Sequence, residues 1–353
     1  MPALATRLLS HLRHKAFGPH RSHPWLACCC WLIALQASAA QAQITPGDCR
    51  AQAQGQMQLV SLRGNFYTAQ GRLGGFDPCE ANVLYRVHAG SKAPLMISVH
   101  GGGGIQDVRA SDEAFHQAGM ATLVFDAYAM QGLPGRTSLF WARSVSNEAR
   151  QRMIYATALA AYEWARQRED IDKRQIYLFG VSNGAAVVAN LAAVVDPAHV
   201  RGVIAEGITP IGLGLPDRIR VPVQLVFGRL DDFGSPDPAM LRWNLSDDCR
   251  LNARVEGIPA GSAQRCNAST PGRRIPTPLQ WAETVRTHGG QVDVVYIEDM
   301  AHNAYFGPLR QQRATWANGE SYGASLGATP EARAHFFSQM RGFIDATALK
   351  RTR

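Results

Sequence analysis

From about residue 80 onward, short apolar runs alternate with longer stretches of helical periodicity. Runs at 95–99, 121–125, 176–179, 203–205, 221–227 and 292–297 are apolar and rich in Val, Ile, Leu and Phe, which predicts buried strands. Between them, 111–117, 148–168, 185–191, 279–287 and 330–348 read as helices. Tyr155, Leu159 and Tyr162 fall at helical spacing in the second, and Phe336, Met340, Phe343 and Ile344 share one face of the last. Ser111 stands where a helix cap would. Upstream, 58–62 and 82–87 read as strands separated by turn signals such as Gly74-Gly75, the pattern of an antiparallel edge. Strand–helix alternation predicts a doubly wound, mostly parallel sheet with helices on both faces, and such sheets bind ligands beyond the carboxyl ends of their strands.

The first 42 residues do not fit this pattern. A basic, His-rich stretch leads into an apolar core of about 11 residues ending near Leu35, then into Ala37-Ser38-Ala39-Ala40-Gln41-Ala42. That is the order of a secretory signal peptide, with cleavage expected near Ala42, and its core is too short to span a bilayer. Cys28 as a lipoprotein cysteine is disfavoured, because the apolar segment follows it rather than preceding it. The expectation is a 43–353 catalytic-sized domain, periplasmic or secreted, with no stable membrane insertion after cleavage.

Export changes how charge and cysteines are read. The formal charge is +8, but Arg7, Arg13, Lys15 and Arg21 lie in the leader, where there is no Asp or Glu. The remainder carries no long basic run, so nucleic acid is not an expected partner. Three of the seven cysteines leave with the leader. Cys49, Cys79, Cys249 and Cys266 remain, an even number in an exported chain and in two sequence-local pairs, which favours the disulfides Cys49–Cys79 and Cys249–Cys266. No CxxC or CxxxH spacing suggests zinc.

The chemistry concentrates at strand ends. Gly180-Val181-Ser182-Asn183-Gly184 joins a predicted strand to a predicted helix, the context of a nucleophile elbow. The serine there needs a strained backbone that exposes its hydroxyl, and glycine neighbours let strand and helix approach closely. The Asn183 N–H, at the helix start, would face an oxyanion formed at Ser182, and its side chain is placed to line the pocket. His100-Gly101-Gly102-Gly103-Gly104 follows the neighbouring strand. Gly102 or Gly103 can offer a second oxyanion donor, and Gly102 is the choice. Asp231 or Asp232, after 221–227, can orient a histidine, with Glu206 the third candidate acid. Of the seven histidines beyond residue 42, only His302 closely follows the final strand, as a general base should.

The His100–Gly103 run, Asp126-Ala127-Tyr128, the Gly-Val-Ser-Asn-Gly elbow, Gly228-Arg229-Leu230-Asp231-Asp232 and Ala301-His302-Asn303 together resemble the dienelactone hydrolase family of α/β-hydrolases, over roughly residues 80 to 345. The resemblance implies the α/β-hydrolase fold and a carboxylic ester or lactone hydrolase with no metal or organic cofactor. It also implies Ser182 as nucleophile, Asp231 as orienting acid and His302 as base. The best-known members carry Cys where this chain has Ser182. The segment 233–276, with two cysteines, is an insertion beside the acid. Three other readings remain open: a serine peptidase of prolyl-oligopeptidase type, a non-catalytic binding protein on the same fold, and a C–C bond hydrolase.

Overall fold

A computed structural model describes residues 42–43, 83–88, 92–130, 147–208, 212–232, 276–315, 321–323 and 325–349. The apolar runs form strands β2 (Val83–Val87), β3 (Ala93–Val99), β4 (Ala121–Phe125), β5 (Ile171–Val181), β6 (Val200–Glu206), β7 (Val223–Gly228) and β8 (Val292–Ile297), preceded by an unexpected two-residue strand, β1 (Ala42–Gln43). They pair in the order β1-β2-β4-β3-β5-β6-β7-β8. β1, β2 and β4 pair antiparallel; from β4 to β8 every pairing is parallel. A small hairpin, β9 (Arg313–Thr315) with β10 (Ser321–Gly323), stands apart from the sheet.

The helices are α1 (Arg109–Gln117), α2 (Ala127–Met130), α3 (Asn147–Ala165), α4 (Asn183–Leu191), α5 (Pro278–Thr287) and α6 (Pro330–Thr347). They cover both faces. On one, α3, α4 and α5 pack Ile154, Ala158, Val187 and Trp281 against Leu95, Ile97, Leu178 and Leu225. On the other, Phe115 of α1 and Phe336, Met340 and Phe343 of α6 meet Met96, Tyr177, Phe179 and Val226. Because successive strand residues face opposite sides, a strand buried on both is mostly apolar along its length, so β4 and β7 are buried throughout and carry only Thr122 and Gln224 as polar residues, with no polar–apolar alternation. This is the α/β-hydrolase fold.

Most predicted elements lie where the pattern put them, with informative departures. β5 begins at Ile171, ahead of the apolar run, because Ile171 pairs with Ala93 across a register shift even though the next residues are polar. The long helix stops at Ala165. Ser111 does not cap α1: the helix starts two residues earlier off a 3-10 turn (Ile105–Asp107), Val108 is the terminal residue, and the Ser111 hydroxyl donates back to the Val108 carbonyl at 2.9 Å. The strand expected at 58–62, residues 1–41 of the expected leader, residues 233–275 of the insertion and the four cysteines expected to pair fall outside the described residues.

Candidate active site

β5 is the central strand, and the residue after it is Ser182, with φ 56 and ψ −117. A non-glycine side chain in such a region costs about 1–3 kcal/mol, offset here by the backbone hydrogen bonds of the turn, where the Ser182 carbonyl accepts from the Ala185 and Ala186 N–H groups while the side chain stays only partly buried. The turn is possible because α4 comes almost into contact with the end of β3. A Cβ on Gly184 would lie 2.2 Å from the Val99 carbonyl oxygen, so only glycine fits. Ser182 is held from the other side by β6, where its N–H donates to the Glu206 carbonyl at 2.9 Å.

The glycine run after β3 is shaped by two side chains. His100 is fully buried; its Nε2 accepts the Ala127 N–H at 2.9 Å, so its proton is on Nδ1, which donates to the Gly101 carbonyl at 2.7 Å. That fixes the Gly101–Gly102 peptide. With the peptide trans, the Gly102 N–H points away from the His100 ring. The Gly101 Cα lies against the nucleophile, since a Cβ there would sit 3.0 Å from Ser182 Cβ. The Gly103 N–H, the other donor considered, is engaged by Asp107 Oδ2 at 2.7 Å. Asp126 ties the same loop to the start of α2, accepting from the Ile105 and Tyr128 N–H groups.

Asp231 and His302 come together from the ends of β7 and β8. His302 Nδ1 lies 2.9 Å from Asp231 Oδ2, with both side chains buried. A carboxylate only accepts, so Nδ1 carries the proton and Nε2 is left as the basic atom. Burial works against a charged imidazole. The Asp231 carboxylate, through charge and hydrogen bond, and the further charges of Glu206 and Asp107 outweigh it, and the His302 pKa is raised above the usual histidine value. The ring lies against Gly207, the residue after β6: a Cβ there would be 2.8 Å from His302 Nδ1 and Cε1. Ser182 and His302 thus meet at one dipeptide, Glu206-Gly207, the first by its N–H and the second by its ring.

Several supports were not foreseen in the sequence. The His302 backbone is pinned by 325–327: its N–H donates to the Ser325 carbonyl and its carbonyl accepts from the Gly327 N–H. Asp232, the alternative acid, accepts from both the Ser325 N–H and hydroxyl. Asn303 (φ 57) donates through Nδ2 to the Asp107 carbonyl, joining the histidine loop to the β3 loop. The Asn183 side chain is buried toward α3, where its Oδ1 accepts from Gln151 Nε2 at 3.1 Å. Gln151 Oε1 in turn accepts the Leu213 N–H at 2.9 Å. Among the described residues no cluster of His, Cys, Asp and Glu is arranged to hold a metal ion, and no helix is long and apolar enough to cross a membrane.

No family model matches the sequence. Two uncharacterized proteins of Mycobacterium tuberculosis, one from each of two strains, are 33% identical to it over 111 residues, 31% of this chain and 35% of theirs. The match therefore spans about a third of the length of those curated relatives. Among solved structures, the chain is similar to a dienelactone hydrolase from Anabaena variabilis, with 15% identity, a TM-score of 0.46 and coverage of 84% of this chain and 100% of that one. It is also similar to a dienelactone hydrolase-like promiscuous phosphotriesterase from metagenomic libraries, with 14% identity, a TM-score of 0.48 and coverage of 75% and 92%. A third, Pyrococcus horikoshii acylaminoacyl peptidase, has 15% identity, a TM-score of 0.41 and coverage of 76% and 40%.

Proposed function

We propose that this chain is a serine hydrolase of the dienelactone hydrolase type, cleaving small carboxylic esters or lactones through an acyl-enzyme on Ser182. The reading is carried by one observation: a buried His302–Asp231 pair at 2.9 Å, whose ring packs on the dipeptide that also holds the strained Ser182.

In the first step His302 Nε2 takes the Ser182 hydroxyl proton while Oγ attacks the ester carbonyl. The charge that develops on the carbonyl oxygen is met by the N–H groups of Asn183 and Gly102. Asn183 is the first residue of α4, so its N–H also carries the positive end of that helix. His302 then gives the proton to the leaving alcohol. Water, deprotonated by the same Nε2, attacks the acyl-enzyme, and its proton passes back to Ser182 as the acid departs. Asp231 keeps Nδ1 protonated throughout and stabilises the imidazolium that forms twice per turnover. Export to the periplasm or medium after cleavage near Ala42 completes the proposal, with the leader as its support.

The test is intact-mass spectrometry with a fluorophosphonate, followed by a panel of esters, lactones and peptides graded in size. One adduct at Ser182, its absence in Ser182→Ala, and a loss of about 10³-fold or more in ester turnover are expected. An adduct elsewhere, or an active alanine variant, removes Ser182 from the role. Turnover of peptides alone transfers the activity to the peptidase class.

A further inference from the structure

Glu206 is the last residue of β6, and its carboxyl is buried at 1% exposure. It touches both halves of the site. Its backbone carbonyl accepts the Ser182 N–H at 2.9 Å, and its Oε1 accepts the N–H of Ala304, two residues past His302, at 2.5 Å. Oε2 has no hydrogen-bond partner among the described residues. A side chain needed only to pin Ala304 could do so as an amide, without placing an ionisable group in the interior. The titratable groups around it are His302 and Tyr305 from the loop after β8, Asp231 from the end of β7 and Asp107 from the turn after β3. Arg333 of α6 lies beyond them, over the Tyr305 ring at 5.9 Å and donating to the Ala304 carbonyl.

We propose that Glu206 is a positioning residue whose carboxyl holds the His302 loop in register with Ser182 and whose charge state sets the proton affinity of His302. The inference rests on His302 being the general base. Burial raises the Glu206 pKa from 4.5 to about 7, countered by the Ala304 N–H and the imidazolium and reinforced by Asp231 and Asp107. The ionised carboxyl in turn raises His302. The ionisation of each group therefore shifts that of the other.

Glu206→Gln keeps an acceptor for Ala304 and removes the charge. His302 is followed by NMR of the labelled imidazole in native protein and variant, because that signal reads protonation whether or not Ser182 reacts. Without the nearby negative charge the imidazolium is less stable. The His302 midpoint should fall by about half a pH unit or more and its curve should become a single step. The acid limb of kcat/KM should move to lower pH by the same amount. Glu206→Asp keeps the charge but retracts it from Ala304, so the coupled curve should persist while kcat falls about tenfold or more. Superimposable His302 curves in native protein and Glu206→Gln overturn the proposal. Should that variant fail to fold, a native His302 curve with a single uncoupled step overturns it equally. Failure of the hydrolase reading shows separately, as no fluorophosphonate adduct on Ser182.

Discussion

Ser325 donates both its backbone N–H and its hydroxyl to Asp232, at 3.0 and 3.1 Å. The same Ser325 accepts the His302 N–H through its carbonyl, so Asp232 reaches the histidine through the backbone while Asp231 reaches it through the ring. Neighbouring aspartates therefore do different work, and single substitutions should separate them. Asp231→Asn cannot hold the protonated Nδ1 as a carboxylate does, and kcat should fall by several orders of magnitude. Asp232→Asn keeps an oxygen for one Ser325 donor, and kcat should fall about tenfold or less. Steady-state kinetics on any ester turned over by the native enzyme decides it; the reverse ranking would hand the acid role to Asp232.

How much of this was legible in the chain depends on whether a feature is local. The elbow is local: glycine spacing, an apolar strand before it and an Ala-rich helix after it all lie within a dozen residues. The strand core is equally plain, because double-sided burial leaves continuous apolar runs. The start of β5 was not, since Asp172, Lys173 and Arg174 hide the pairing that Ile171 makes with Ala93 of the neighbouring β3. Ser111 misled for a physical reason. A serine before an acidic pair is a capping pattern, but the chain had already begun to coil at the 3-10 turn. Gln151 and Ser325 carry no signal in sequence, because what makes them matter is contact with Asn183, Leu213 and Asp232 from distant segments.

Gln151 gives a prediction about the oxyanion side. It sits inside α3 with no exposure, bridging Asn183 Oδ1 and the Leu213 N–H. Gln151→Leu keeps the volume but strands both partners, at a cost of about 1–3 kcal/mol each when buried and unpaired. A lower midpoint in thermal unfolding is expected, together with a fall in kcat of about tenfold and little change in KM, because the Asn183 peptide would lose its support. Destabilisation with unchanged kcat would confine Gln151 to a structural part.

Stability should carry the mark of Glu206 as well. Its pKa is about 7 folded against 4.5 for a free side chain, so the native state retains a proton that the unfolded chain has lost between those values. That contribution is fully present below about pH 4.5 and disappears as pH rises through about 7. Asp112, raised from 3.8 to about 6 by burial despite its Arg86 partner, acts in the same direction. Urea unfolding of native protein and Glu206→Gln across this range should therefore show a shallower pH dependence in the variant, with the Asp112 share remaining. Parallel curves would mean that Glu206 titrates as an ordinary carboxyl.

For the exported protein we propose the local disulfides Cys49–Cys79 and Cys249–Cys266. Closing loops of about 31 and 18 residues stabilises by roughly 3 kcal/mol each on the chain-entropy estimate, less any native strain. The second bridge would tether the 233–276 segment beside Asp231, so its loss should lower activity as well as stability, and loss of the first should chiefly lower stability. Peptide mapping without reduction is the measurement; four free thiols, or a Cys79–Cys249 peptide, removes this pairing.

Gly207 offers the sharpest test of how His302 is placed. Its φ of 57 disfavours any side chain, and a Cβ would stand 2.8 Å from two ring atoms of His302 and 3.3 Å from Asp231 Oδ2. Gly207→Ala thus meets two penalties of different kinds. The backbone conformation costs about 1–2 kcal/mol, which a thermal midpoint should register as a modest drop. The steric contact cannot be relieved by the ring alone, because Nδ1 is tied to Asp231 and the His302 backbone to Ser325 and Gly327. The imidazole must shift by several tenths of an ångström at least, and misplacement near 1 Å at a reacting group costs about 10²-fold. We expect kcat to fall by roughly that factor at nearly unchanged KM, with fluorophosphonate labelling of Ser182 slowed in proportion. A folded Gly207→Ala variant with native kcat would mean that His302 has room on that side and that the Glu206-Gly207 dipeptide does not set its position.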